Sequence, residues 1–237
     1  MMKYALILVS VLFLSCQQDT NKDSENESEK ETIEKKEPEV VIPSAGDKEL
    51  DLTNVDKVNQ EELMPFLEKY FKENKERRFV IKTDFGNIKI ELYDDTPWHT
   101  ANFLRLTKLG YFNTTFFHRV ADDFVIQGGN SDKVITHRFR SKVGKYLIPN
   151  EAEAQHKHKY GVVSAAKYSE QNVSNASSPF EFFIVVSERG AHHLDKDHTV
   201  FGRVIEGMDV AEKISEVEVD ESEWPLSNVG IKVEVLD

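Results

Sequence analysis

Two short runs, Phe116-Phe117-His118-Arg119-Val120 and Phe124-Val125-Ile126-Gln127-Gly128-Gly129, constrain this chain more than any other stretch. Aromatic and β-branched residues dominate both, and the glycine pair closes the second, so each reads as a strand. Side chains alternate faces along a strand, which places Phe117 with Arg119 on one face and Val125 with Gln127 on another. If the Ala121-Asp122-Asp123 bend brings those faces together, one guanidinium, one amide and several apolar groups share a surface. Such a surface suits gripping an apolar ring with a single hydrogen-bond donor beside it. The same spacing also fits an edge arginine whose stem lies over hydrophobic strands. Spacing alone leaves both open.

The chain has 237 residues, 39% of them hydrophobic and fifteen of them Phe, enough for one sizeable core. A formal charge of −12 argues against a general nucleic-acid binder, which needs clustered Lys and Arg to neutralise phosphates. A single cysteine, Cys16, excludes an intrachain disulfide. It follows Lys3 and the apolar run Tyr4 to Leu14, which describes an export signal over residues 1–15 and is too short for a comfortable membrane span. Leu12-Phe13-Leu14-Ser15-Cys16 resembles the lipobox of bacterial lipoproteins, with Phe13 where Leu is usual. That resemblance implies a lipid anchor at Cys16; an ordinary signal peptide with an incidental cysteine is the alternative.

Residues 16–52 read as an acidic, solvated tether: Asp19, Asp23, Glu25, Glu27, Glu29, Glu31, Glu34, Glu37 and Glu39 lie among few lysines, with no periodic apolar face. Over residues 53–77, Leu63, Phe66, Leu67, Tyr70 and Phe71 recur at helical spacing, and Pro65 marks a first turn or a kink. This extension helix is expected to pack on the following domain, residues 78–237. There Phe79-Val80-Ile81-Lys82-Thr83 and Ile88-Lys89-Ile90-Glu91-Leu92-Tyr93 read as a hairpin, and Thr96-Pro97 as a capped helix start. Gly110 ends that helix. Strands follow at 162–164, 182–186, 199–204 and 231–236, with a helix after Gly207-Met208-Asp209. The pattern is mostly β and suggests a closed barrel with two helices.

Phe117-His118-Arg119-Val120, Phe124-x-Ile126-Gln127-Gly128-Gly129, Glu181-Phe182-Phe183-Ile184 and His193-Leu194-Asp195-x-x-His198-Thr199-Val200-Phe201-Gly202 together resemble the cyclophilins, which are peptidyl-prolyl cis-trans isomerases. The resemblance runs from about residue 79 to 237 and implies an eight-stranded antiparallel barrel capped by two helices. It implies that Arg119 donates to the client, that Phe124, Val125, Phe183, Leu194 and His198 line a proline pocket, and that Gln127 positions Arg119 or the client. It further implies that Ala166 and the backbone of Lys167 hold the peptide preceding proline. The clients implied are proline-containing polypeptides, bound by a monomer without a cofactor. The chemistry is consistent. X-Pro isomerisation must break C–N conjugation against a barrier of about 18–20 kcal/mol. At the twisted transition state the proline nitrogen regains its lone pair, so a donor placed there favours that state over either planar one.

Glu181 stands where cyclophilins usually carry Gln; it is expected either to pair with Arg119 or to be an exposed groove-edge charge. His193 replaces the Trp of cyclosporin-sensitive members, which implies weakened cyclosporin binding. The basic run Lys133 to Lys142 replaces the family's Gly-rich loop and reads as a solvated loop face or as a site for acidic clients. Ser169 to Pro179 reads as a long, turn-rich loop beside the groove. His156-x-His158 and His192-His193-x-Asp195-x-x-His198 read as hydrogen-bonding or packing groups rather than metal ligands.

Overall fold

A computed structural model describes residues 52–53, 55–154, 156–168 and 174–236. The signal over 1–15, Cys16, nearly all of the tether and part of the loop after Ser169 lie outside the described residues.

The chain order is α1 (Leu63–Glu73), β1 (Arg78–Thr83), β2 (Gly86–Leu92), α2 (Pro97–Lys108), β3 (Phe116–Ala121), β4 (Val125–Asn130), α3 (Val134–Val143), β5 (Val162–Ala165), β6 (Phe182–Val185), β7 (Val200–Glu206), α4 (Met208–Ser215), β8 (Val229–Gly230) and β9 (Lys232–Leu236). Alternation does its work in the first hairpin: Ile88, Ile90 and Leu92 turn inward and are buried, while Lys89 and Glu91 between them do not.

Nine strand segments form one antiparallel sheet in the order β8-β3-β4-β6-β5-β7-β2-β1-β9. The eight expected strands become nine because the last one is interrupted. β8 pairs with β3 and β9 with β1, and only Ile231 separates them. Ile231 donates its N–H to Thr115, outside the ladder. One segment therefore covers both edges and brings the barrel near closure. Inside, Phe103 meets Phe79, Phe112 and Phe182 at centroid separations of 5.3, 4.7 and 5.5 Å. Gly129, at φ +97°, lets β4 pass directly against the Phe180 backbone, where a Cβ would lie 2.1 Å from the carbonyl oxygen.

Helix α2 packs on β7 and β9, and α4 on β2, β3 and β4. Helix α1 covers α2, with Leu63 and Leu67 fully buried in the same cluster as Phe79 and Ile81. Pro65 falls in the first turn of α1, where its missing N–H costs nothing. Sandwiched between α1 and the barrel, α2 is buried from His99 to Thr107. That includes Arg105, which donates to Tyr146 and to the Asp56 carbonyl.

Two expectations need correction. Thr96 does not cap α2, since its hydroxyl is buried without a partner. The Glu151 carboxylate takes that role, accepting from Trp98 N–H at 3.1 Å and His99 N–H at 2.9 Å. The basic run 133–142 is not a loop but helix α3, a third helix on the barrel. Thr136, Phe139 and Val143 bury one stripe of it, while His137, Arg138 and Lys142 stay exposed.

Candidate active site

Strand β3 does not keep its alternation. Phe117 pairs with Gly128 and Arg119 with Gln127, with a register shift between them. The bulge leaves Phe117 fully buried in the barrel core, while Arg119 is half-buried and belongs to the outer face. The expectation that the two share a face is therefore wrong, and the extra residue is the reason. His118 between them is buried too.

On the outer face, register aligns Arg119 (β3), Gln127 (β4), Phe183 (β6) and Ser164 (β5) in one row across four strands. Around this row lies a second apolar cluster, separate from the interior one. It holds Ala121, Val125, Val162, Ala166, Phe183, Val185, Ala191 and Val200, with Phe124, Leu194 and Tyr93 packed against it. Strand parity divides β6 cleanly: Phe182 and Ile184 join the interior, Phe183 and Val185 the outer cluster. Five residues named from sequence, Phe124, Val125, Ala166, Phe183 and Leu194, thus meet in one apolar patch. His193 stacks on Phe124 at 5.3 Å.

His198 edges onto Phe183 at 5.5 Å and donates Nδ1–H to the Ala165 carbonyl at 2.9 Å. Burial lowers its pKa to about 4, so the ring is neutral at physiological pH. Below the patch, His158 is fully buried and stacks on Phe183 at 5.9 Å. Its ring nitrogens meet Asp195 Oδ1 at 3.0 Å and Ser164 Oγ at 2.9 Å. Burial alone would raise the Asp195 carboxyl, but hydrogen bonds from the His158 backbone and ring and from His192 draw it down to about 2. His158, held by Asp195, therefore buttresses the pocket floor, a role that its packing against Phe183 reveals.

The Arg119 Nε donates to Glu223 at 2.6 Å, and its Cζ stands 5.9 Å from the Phe124 ring centroid. Its terminal nitrogens bond no described group. Glu181 does not pair with Arg119 and is no exposed edge charge. It is mostly covered, with one oxygen accepting from Arg140 at 3.0 Å and the other from Gln127 Nε2 at 3.1 Å. His118 Nε2 lies 3.5 Å from that second oxygen. Burial pushes the Glu181 carboxyl up, yet His118 and Arg140 together bring it below the ordinary value. Arg140 also donates to Tyr111 and to the Gly129 carbonyl and covers Phe180. Neither Arg140 nor Glu223 stood out in the sequence.

The remaining expected residues divide. Ala166 offers its methyl group only, because its N–H goes to Glu181 and its carbonyl to Ser178. The Lys167 backbone bonds no described group, and its Nζ donates to Asn175 at 3.1 Å.

The surface so built can clasp a small apolar ring and offer guanidinium donors at its rim. Comparison with known proteins points the same way. The family model described as cyclophilin type peptidyl-prolyl cis-trans isomerase/CLD matches residues 78–235. A peptidyl-prolyl cis-trans isomerase of Acinetobacter baylyi is 38% identical over 58% of this chain and 71% of its own length. One from Arabidopsis thaliana is 30% identical over 67% of this chain and 93% of its own. The isomerase-like 2 protein of Rhizopus delemar is 37% identical over 70% of this chain, which spans only 30% of that longer relative. A crystal structure of a cyclophilin type isomerase from Cryptosporidium parvum superposes with a TM-score of 0.58 at 25% identity, covering 69% of this chain and 99% of that one. A second crystal structure of it, in the presence of the dipeptide Ala-Pro, gives 0.56 at 27% identity, covering 68% and 99%. By these matches, the chain belongs to the cyclophilin-type peptidyl-prolyl cis-trans isomerases.

Proposed function

We propose that this isomerase turns X-Pro bonds of exported or envelope proteins, with Arg119 as the donor to the twisted amide, anchored through lipid on Cys16. One observation supports the mechanism most: a half-buried guanidinium whose terminal nitrogens bond no described residue stands beside Phe124 at the rim of the outer apolar patch. The proline ring would rest among Phe124, Val125, Phe183, Leu194 and His198. The backbone of Lys167, which bonds no described group, would hold the residues before it. Rotation needs neither nucleophile nor metal. It needs a donor aimed where the nitrogen lone pair appears, and each 1.4 kcal/mol gained there is worth about tenfold in rate.

The neutral His198 ring supports the pocket assignment, since a charged ring would oppose an apolar guest. The Ala-Pro dipeptide used with the Cryptosporidium parvum protein supports a proline-bearing ligand here. The envelope setting rests on the apolar run ending in Ser15-Cys16 and on the acidic residues after it. The protein acts as a monomer in this reading.

The test is a proline-peptide isomerisation assay of the parent and Arg119→Ala. Equal rates would reject Arg119 as the donor. Peptide binding without turnover in the parent would make the chain a binding module. For the anchor, Cys16→Ser should move the protein from the membrane to the soluble fraction of an expressing bacterium; unchanged membrane partition would reject lipidation.

A further inference from the structure

Arg119 is held by a carboxylate from a distant loop, and that loop is built to hold it. The segment 216–228 folds back on itself through a bridge between Val219 and Pro225. At its tip the Asp220 N–H donates to Trp224 and the Glu223 N–H to Asp220, at 2.9 and 3.0 Å. The Asp220 Oδ1 accepts from the Ser222 and Trp224 backbones at 2.8 and 3.0 Å. Two contacts then fix the tip to β3. Val120 N–H donates to the Glu223 carbonyl at 2.8 Å, one residue beyond the arginine. The Trp224 ring lies 5.7 Å from His118, one residue before it.

Glu223 itself sits at φ +65°, a conformation that most side chains avoid and that surrounding structure must impose. Its carboxylate takes the Nε of Arg119 alone and leaves both terminal nitrogens without a described partner. A salt bridge made only for stability gains by engaging the paired fork of the guanidinium. Engaging the side nitrogen instead fixes the plane of the group and keeps its leading donors available.

We propose that Glu223 is a positioning residue for isomerisation: it orients the Arg119 guanidinium so that its terminal N–H groups face the proline pocket. The inference rests on the reading of Arg119 as donor. Without the carboxylate the long arginine side chain samples many rotamers, and the donor meets the developing lone pair less often.

The experiment compares kcat and KM for a proline peptide in Arg119→Ala, Glu223→Ala, Glu223→Asn, Glu223→Gln and the double variant Arg119→Ala/Glu223→Ala. Glu223→Ala is expected to lower kcat about tenfold with KM within about twofold. Asn tolerates the left-handed conformation, so Glu223→Asn should lose the same activity without losing melting temperature. Glu223→Gln keeps an acceptor oxygen and should lie between Ala and the parent. In the Arg119→Ala background, Glu223→Ala should remove nothing more. The proposal is overturned if Glu223→Ala keeps or raises kcat, if Gln rescues nothing, or if the loss persists without Arg119. If Arg119→Ala alone runs at the parental rate, the donor reading itself falls. That result is told apart because it appears with Glu223 intact.

Discussion

Two arginine–carboxylate pairs flank Gln127, and they differ in burial and in what the arginine has left to give. Arg140–Glu181 is enclosed, with side chains 18% and 11% exposed, and Arg140 also donates from Nε to Tyr111 and from Nη2 to the Gly129 carbonyl. Arg119–Glu223 is half open, at 36% and 43%, and engages only Nε. A mostly covered arginine bonded through both Nε and Nη2 organises the protein; one at a groove rim that engages only Nε keeps both terminal groups for a guest. Residue type and charge are the same in both pairs, so burial and bonding separate structure from chemistry.

The strongest way to break the contrast is to empty its buried side. Arg140→Ala strands a buried carboxylate and is expected to cost about 3–5 kcal/mol, read by chemical unfolding. A loss within about 0.5 kcal/mol would show that His118 suffices. Arg119→Ala should do the reverse, lowering kcat/KM about 100-fold while the unfolding midpoint stays in place. A pH series sharpens the contrast from His198, beside Phe183. The folded pKa of His198, about 4, lies below the ordinary 6.5, so the unfolded chain takes the proton first. Stability is then full above about pH 6.5 and falls as pH drops toward 4, by about 2 kcal/mol for this partly covered ring. Unfolding free energies measured across that window should show a shallower slope in His198→Phe; an identical slope would reject the assignment. The smallest effect belongs to Glu181→Gln, which removes the buried charge but keeps an acceptor for Arg140. It should change stability by less than about 1 kcal/mol in the same unfolding measurement, and a larger loss would mean that the charge itself matters.

Much of this architecture was written locally. The residues of β2 and β6 alternate between faces as strand residues do, and Leu63 and Leu67 of α1 recur at helical spacing. Phe124, Val125, Phe183 and Leu194 were identified through family resemblance, and the fold gathers them. What was hidden is non-local. The bulge at His118 adds a residue without any glycine to mark it, so parity counting ran Arg119 onto the face of Phe117. Helix α3 leaves little local signal because its three buried positions are scattered among four basic side chains. Glu181 finds Arg140 across 41 residues and Arg119 finds Glu223 across 104. Separations of that size leave no periodic trace, since nothing in a local window ties the partners together.

The break at Ile231 has a consequence for how the molecule is made. Residues 229–236 are needed to cover β3 and β1 together, so a chain still waiting for them carries two bare strand margins at once. Such margins invite cross-pairing between neighbours, and distant pairings of this kind form slowly. An isomerase of this fold is thus itself exposed to misassembly until residues 229–236 pair with β3 and β1.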